Sequence, residues 1–79
     1  MFIVVETFLN SGEPSSASYR VRPVPGQGHP NSMRVQCSRA MRHSAPLGTK
    51  FRLWVKLVEP ADNAPFLRHV NSDPWEVVQ

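Results

Sequence analysis

From residue 14 to residue 58 the chain contains no aspartate and no glutamate. Glu6 and Glu13 lie before that stretch, and Glu59, Asp62, Asp73 and Glu76 lie after it. Other absences are as informative. A single cysteine, Cys37, excludes an internal disulfide, so no covalent staple supports the fold. A lone thiol also suits a reducing compartment better than an oxidising one. No apolar run approaches the roughly 20 residues that a membrane span requires. Residues 1–6 lack both the basic segment and the long apolar segment of a secretory leader. The expectation is a soluble, cytoplasmic protein with no membrane partner.

Signatures of chemistry are scarce too. No serine sits in a G-x-S-x-G context, and the carboxylates all fall in or beside turns, where paired acid–base roles cannot be assigned. Cys37, His29, His43 and His69 are the potential metal ligands, but none pair at the close spacings of structural zinc sites. A Cys37–His43 thiolate pair is disfavoured because the cysteine falls on the apolar side of its strand, where a small buried hydrophobe is the simpler reading. Gly26-x-Gly28 is a short glycine pair flanked by prolines with no helix behind it, which fits a hairpin loop and not a phosphate-binding loop. No cofactor, no metal and no catalytic activity are expected.

What remains is a chain of 79 residues, 41% hydrophobic and 19% charged, which is ordinary for one globular domain spanning residues 1–79. Such a chain buries only about 60% of its unfolded surface, so the core is thin. Its eight prolines lie between apolar runs and punctuate loops.

Alternation organises the rest. Residues 2–9 are β-branched and aromatic on both alternating sets and read as a strand buried on much of both faces. Asn10 to Ser16 is a turn by composition. A second strand over 18–22 sets Tyr19 and Val21 against Arg20 and Arg22, and Pro23 and Pro25 end it. After a glycine-rich loop, residues 33–37 set Met33, Val35 and Cys37 against Arg34 and Gln36. Ser38 is suited to cap a helix over 39–45, with Ala40, Met41, Ser44 and Ala45 on one face and Arg39, Arg42 and His43 outward. Residues 50–58 alternate Phe51, Leu53, Val55 and Leu57 with Lys50, Arg52, Trp54 and Lys56. Residues 66–70 and 75–78 supply short closing strands. This succession predicts an all-β protein with one short helix: a small five- to six-stranded barrel, OB-like or SH3-like, with the helix between strands 3 and 4. The expected core is Ile3, Val5, Val21, Met33, Val35, Phe51, Leu53, Val55 and Leu57.

Eight of the nine Lys and Arg residues fall inside 14–58, giving that stretch +8 between flanks of −2 and −3. If strands two, three and four are neighbours, Arg20, Arg22, Arg34, Lys50, Arg52 and Lys56 project from one face, with Trp54 among them. Arg39, Arg42 and His43 extend that face from the helix, although cations there also simply complement the helix dipole. Phosphates neutralised by such cations, and bases stacked on such a ring, would be those of single-stranded nucleic acid. An acidic protein partner would meet the same face. The plainer reading is a solvated outer surface with Trp54 covered by the helix or a loop. A rival from another class is a protein-interaction or subunit module docking through strand edges and exposed Trp54 or Trp75, as a monomer or a homodimer.

Overall fold

A computed structural model describes residues 1–9, 19–70 and 72–78. They form β1 (Phe2–Leu9), β2 (Tyr19–Pro23), β3 (Val35–Gln36), α1 (Arg39–Arg42), β4 (Lys50–Trp54), β5 (Lys56–Val58), β6 (Phe66–Arg68) and β7 (Trp75–Val78). The turn expected at 10–16 and the strand start at residue 18 lie outside the described residues, as does Asn71 of the last turn. The chain is mostly β, with the one helix between β3 and β4 as the alternation predicts. No helix among the described residues is long and apolar enough to cross a membrane.

The strands form two sheets, ordered β2-β1-β4-β7 and β3-β6-β5. All neighbours are antiparallel except the β3–β6 pair. The residues expected as one strand over 50–58 divide at Val55. There the Val55 N–H donates to the Met1 carbonyl at 2.8 Å and the Met1 ammonium donates back to the Val55 carbonyl at 3.0 Å. The strand bends at this point and leaves the first sheet for the second. On the far side β2 and β3 share no ladder, so among the described residues no closed barrel is present.

Ile3, Val5, Val21, Val35, Phe51, Leu53 and Val55 fill the space between the sheets as expected, joined by Met41 and Leu67. Met33 is only half-buried at the margin of this cluster. Leu57 departs further, at 47% exposed. Its register partner Leu67 is fully buried, so Leu57 keeps its inward parity but sits on the edge strand β5, where nothing covers it.

Local hydrogen bonds set the limits of each element. The third strand shrinks to two residues because Met33 N–H is taken by a turn to the Pro30 carbonyl. Ser38 caps α1, its Oγ accepting from the Met41 N–H at 3.1 Å. The helix stops after one turn and not at residue 45, since Ser44 turns both its N–H and its Oγ onto the Met41 carbonyl. Arg42 is half-buried and Ala40 exposed, the reverse of the expected facing.

β2 runs one residue further than expected and includes Pro23. Thr7 N–H points to β4, donating to the Thr49 carbonyl, so with this register Val21 and Pro23 turn their backbone polar groups away from β1. A proline costs no ladder bond there. Beyond it, the long loop is pinned by Gln27, whose side-chain amide acts as a surrogate strand residue. It accepts from Val4 N–H and donates to the Val4 carbonyl, both at 2.7 Å. Gly26, at φ 95°, supplies the left-handed turn that brings this amide round.

Leu53 is fully buried at the centre of this thin core. Leu53→Ala is expected to cost about 2–5 kcal/mol, a large share of the stability of so small a domain. Thermal and urea melts of the variant measure it, and an unchanged midpoint would contradict the placement.

Candidate functional site

Where β2 and β3 fail to pair, a groove of about 930 Å³ opens between the two sheets. Its walls carry Arg20 and Arg22 from β2, Arg34 beside β3, Arg42 from α1 and Arg68 from β6. No carboxylate lines it among the described residues. Phe8, Cys37 and His69 also reach its surface.

Pairing explains how these cations assemble. On β2, Arg20 and Arg22 alternate with Tyr19 and the buried Val21, so both project outward at the free edge of their sheet. On the second sheet Gln36, Arg68 and Lys56 stand directly opposite one another across β3, β6 and β5. Arg34 joins that face by lying over the Phe66 ring, 4.4 Å from its centroid. Like charges directly opposite, as with Lys56 and Arg68, are mildly destabilising, and a bound anion relieves them.

Arg42 closes the inner end. Its Nη1 donates to the Cys37 carbonyl at 3.3 Å, while its buried Nε has no hydrogen-bond partner. Arg34, Arg42 and Arg68 make no ion pair among the described residues. Arg22 does: its Nε donates to Glu6 at 3.0 Å, and its guanidinium lies 4.7 Å from the Phe8 centroid.

The premise that strands two, three and four are neighbours does not hold. β1 separates β2 from β4, and β3 belongs to the other sheet. Of the expected residues, Arg20, Arg22, Arg34 and Arg42 line the groove, and Lys56 continues the second sheet's face. Arg39 is exposed on α1 outside the groove. Lys50, Arg52 and Trp54 occupy a different region of the first sheet. Trp54 pairs with Phe2 whereas Arg20 pairs with Phe8, six residues along β1, or about 20 Å at about 3.3 Å per residue. Trp54 is half-buried and edge-on to Phe2, with centroids 5.2 Å apart. Arg52 stacks over the same Phe2 ring at 3.9 Å and donates to Glu76 at 3.2 Å.

The charge segregation of the sequence is therefore partly undone by folding. Not all carboxylates fall in or beside turns as expected: Glu6, within β1, stands between Arg22 and Lys50 in register, and Glu76, within β7, stands opposite Arg52. Glu76 pairs with Arg52 away from the groove and Glu6 pairs with Arg22 on its wall, whereas Arg34, Arg42 and Arg68 make no ion pair among the described residues.

Sequence reasoning omitted Arg68, which lies in the net-negative tail. The available signal was parity: Leu67 and His69 are buried, so Arg68 between them faces out. His69 is held by its Nδ1–H donating to the Trp54 carbonyl at 2.8 Å, since a carbonyl can only accept. No cluster of three or more metal-ligating side chains occurs among the described residues. Cys37 packs against the core at the groove's margin, and burial pushes its thiol above the ordinary 9.0, although Arg42 pulls it the other way.

No family model, curated protein or solved structure matches the chain.

Cys37 is expected to react slowly with a thiol reagent in native buffer and rapidly in denaturant, because the thiolate is the reactive form and burial suppresses it. Cys37 is only half-buried, short of the full burial expected, and since its folded value still lies above the unfolded one, the thiol's contribution to stability is complete below pH 9.0 and declines as pH rises past it. Replacing Cys37 with Ala should flatten that alkaline decline in a series of urea melts. Fast labelling of the native protein would contradict the placement.

Proposed function

We propose that the chain is a non-catalytic binding module and that its groove takes a single-stranded nucleic acid, with phosphates on the arginines of the two facing sheets. The observation that carries this reading is the convergence of five arginines, from β2, from the residue before β3, from α1 and from β6, on one groove that no carboxylate lines among the described residues. A polymer with one charge per unit matches a line of cations better than a single small anion does. Arginine also suits phosphate through its forked donors.

The fold is compatible with that role. Taken as one bent strand, β4 and β5 complete the pairing sequence β2-β1-β4/β5-β6-β3, the order of an OB-type barrel opened at one seam. Such barrels bind oligonucleotides on the face of their second and third strands, here the strands flanking the groove. This argument is by analogy of architecture, and the arginines stand independently of it. An SH3-like arrangement accounts less well for a parallel pair between β3 and β6. The cytoplasm is the compartment this reading assigns.

A competing occupant of the groove would be an acidic peptide adding a strand between β2 and β3. An inserted strand needs its neighbours about 9.6 Å apart, twice the strand spacing. Cα atoms of β2 and β3 come within 8 Å, too close for that ladder. A ligand that lies along the groove's charged walls needs no such separation. The protein-interaction reading is better placed on β7, whose open edge carries Trp75 and Val77, 42% and 49% exposed.

Titration with short single-stranded DNA and RNA at about 50 mM salt tests the proposal. With three to five phosphates engaged, log affinity should fall with log salt at a slope of about −2 to −3.5. Arg68→Glu and Arg34→Glu should each weaken binding to all sequences alike and reduce the slope. Arg52→Glu and Trp54→Ala, on the other region of the first sheet, should leave it unchanged. No shift of groove resonances at millimolar oligonucleotide would overturn the proposal and favour the β7 edge as the working surface.

A further inference from the structure

Three aromatic ring pairs occur among the described residues, and one differs in kind. Phe2–Trp54 and Phe51–Trp75 meet edge-on, at 79° and 61°. Tyr19 and His43 instead lie flat on one another, centroids 4.6 Å apart and planes inclined by 11°. An edge-on pair hides a face of one ring against the rim of the other. A parallel pair turns the second face of each ring outward. Tyr19 is half-buried, and His43, the residue that ends α1, is exposed.

Neither ring lines the groove, but each belongs to the chain neighbour of an arginine that does. Tyr19 immediately precedes Arg20 on β2, and His43 immediately follows Arg42, both of which line the groove. A chain running on past Arg42 would meet the exposed His43 next.

We propose that a nucleobase continues this stack on the outer face of His43. The stack would then be what distinguishes nucleic acid from other polyanions in the groove. The inference rests on the reading of the groove as a phosphate-binding site and adds the base-recognising element to it. The arginines respond to charge alone and would hold any polyanion. A flat aromatic face responds to bases and tolerates any sequence, because every base has a π-face. Tyr19 beneath it fixes the imidazole's orientation before the ligand arrives, so little ordering remains to be done on binding.

The test compares a single-stranded oligodeoxynucleotide with an abasic deoxyribose-phosphate chain of the same length, titrated at about 50 mM salt against the parent protein, His43→Ala and His43→Phe. The parent should bind the base-bearing strand about 5- to 150-fold more tightly than the abasic one. His43→Ala should lose most of that margin while its abasic binding and salt slope stay as in the parent. His43→Phe should restore the margin, since its ring can occupy the same place. Because His43 is exposed, a melt matching the parent checks that the variants are folded. Equal affinity of the parent for the two chains, or a margin unchanged in His43→Ala, would overturn the stacking site while leaving the groove reading intact. Failure of the parent to bind either chain would overturn the groove reading, and the stack with it.

Discussion

The strand through residues 50–58 serves two sheets, and the reciprocal pair of hydrogen bonds between Val55 and Met1 holds it at the point of transfer. Before that point Phe51 and Leu53 pack inward under β1 and β7, and after it Leu57 pairs with Leu67 on β6. His69 reinforces the junction, bonding to the carbonyl of Trp54 one residue before the bend. Because both sheets are joined along this strand, their opposite margins, β2 and β3, are free to diverge. The groove is the geometrical consequence of a bend on the other side of the molecule. A core this small has few other ways to build a concavity, since a deep pocket would remove side chains that the fold needs for stability.

Electrostatics then decides what the concavity can hold. Exposed ion pairs such as Arg52–Glu76 contribute little to stability. Their effect here is on the field: Glu6 stands between the cations of β2 and β4 and Glu76 flanks β4 from its other side, so the first sheet carries both signs. On the second sheet, Arg34, Arg68 and Lys56 meet no such acid in register. The strands thus present one face of mixed sign and, on the second sheet, one whose cations have no acid in register.

Much of this was legible in the sequence. Strict alternation over 50–58 named Phe51, Leu53 and Val55 as core, and a serine ahead of an alanine- and arginine-rich segment announced the helix between the third and fourth strands. What escaped was pairing order. Nothing in the residues of β1 says that it lies between β2 and β4, so cations that share a parity were assigned to one face. Parity fixes which side of its own strand a residue occupies, and only topology fixes which strands share a side. Leu57 failed for a related reason: inward facing implies burial in a central strand but not in an edge strand. The Tyr19–His43 stack was invisible because it depends on a contact between segments far apart in the chain, and the parity of Arg68 showed its outward facing but not the strands it would lie beside.

Pro23 carries a consequence beyond its own position. It stands at the free margin of β2 with its ring nitrogen turned away from β1, and its carbonyl is already occupied by the Asn31 side chain at 3.1 Å. At Pro23 a second molecule seeking to zip onto this margin finds no donor and an acceptor in use, so any ladder begun at Val21 is interrupted there. Unpaired strand margins are where small β proteins recruit one another into aggregates, and proline is among the residues that discourage it. The opening that gives the chain its cationic groove is thus kept from serving as a template for self-assembly. This protection matters most in a domain whose slight stability would leave its strands accessible for a measurable fraction of the time.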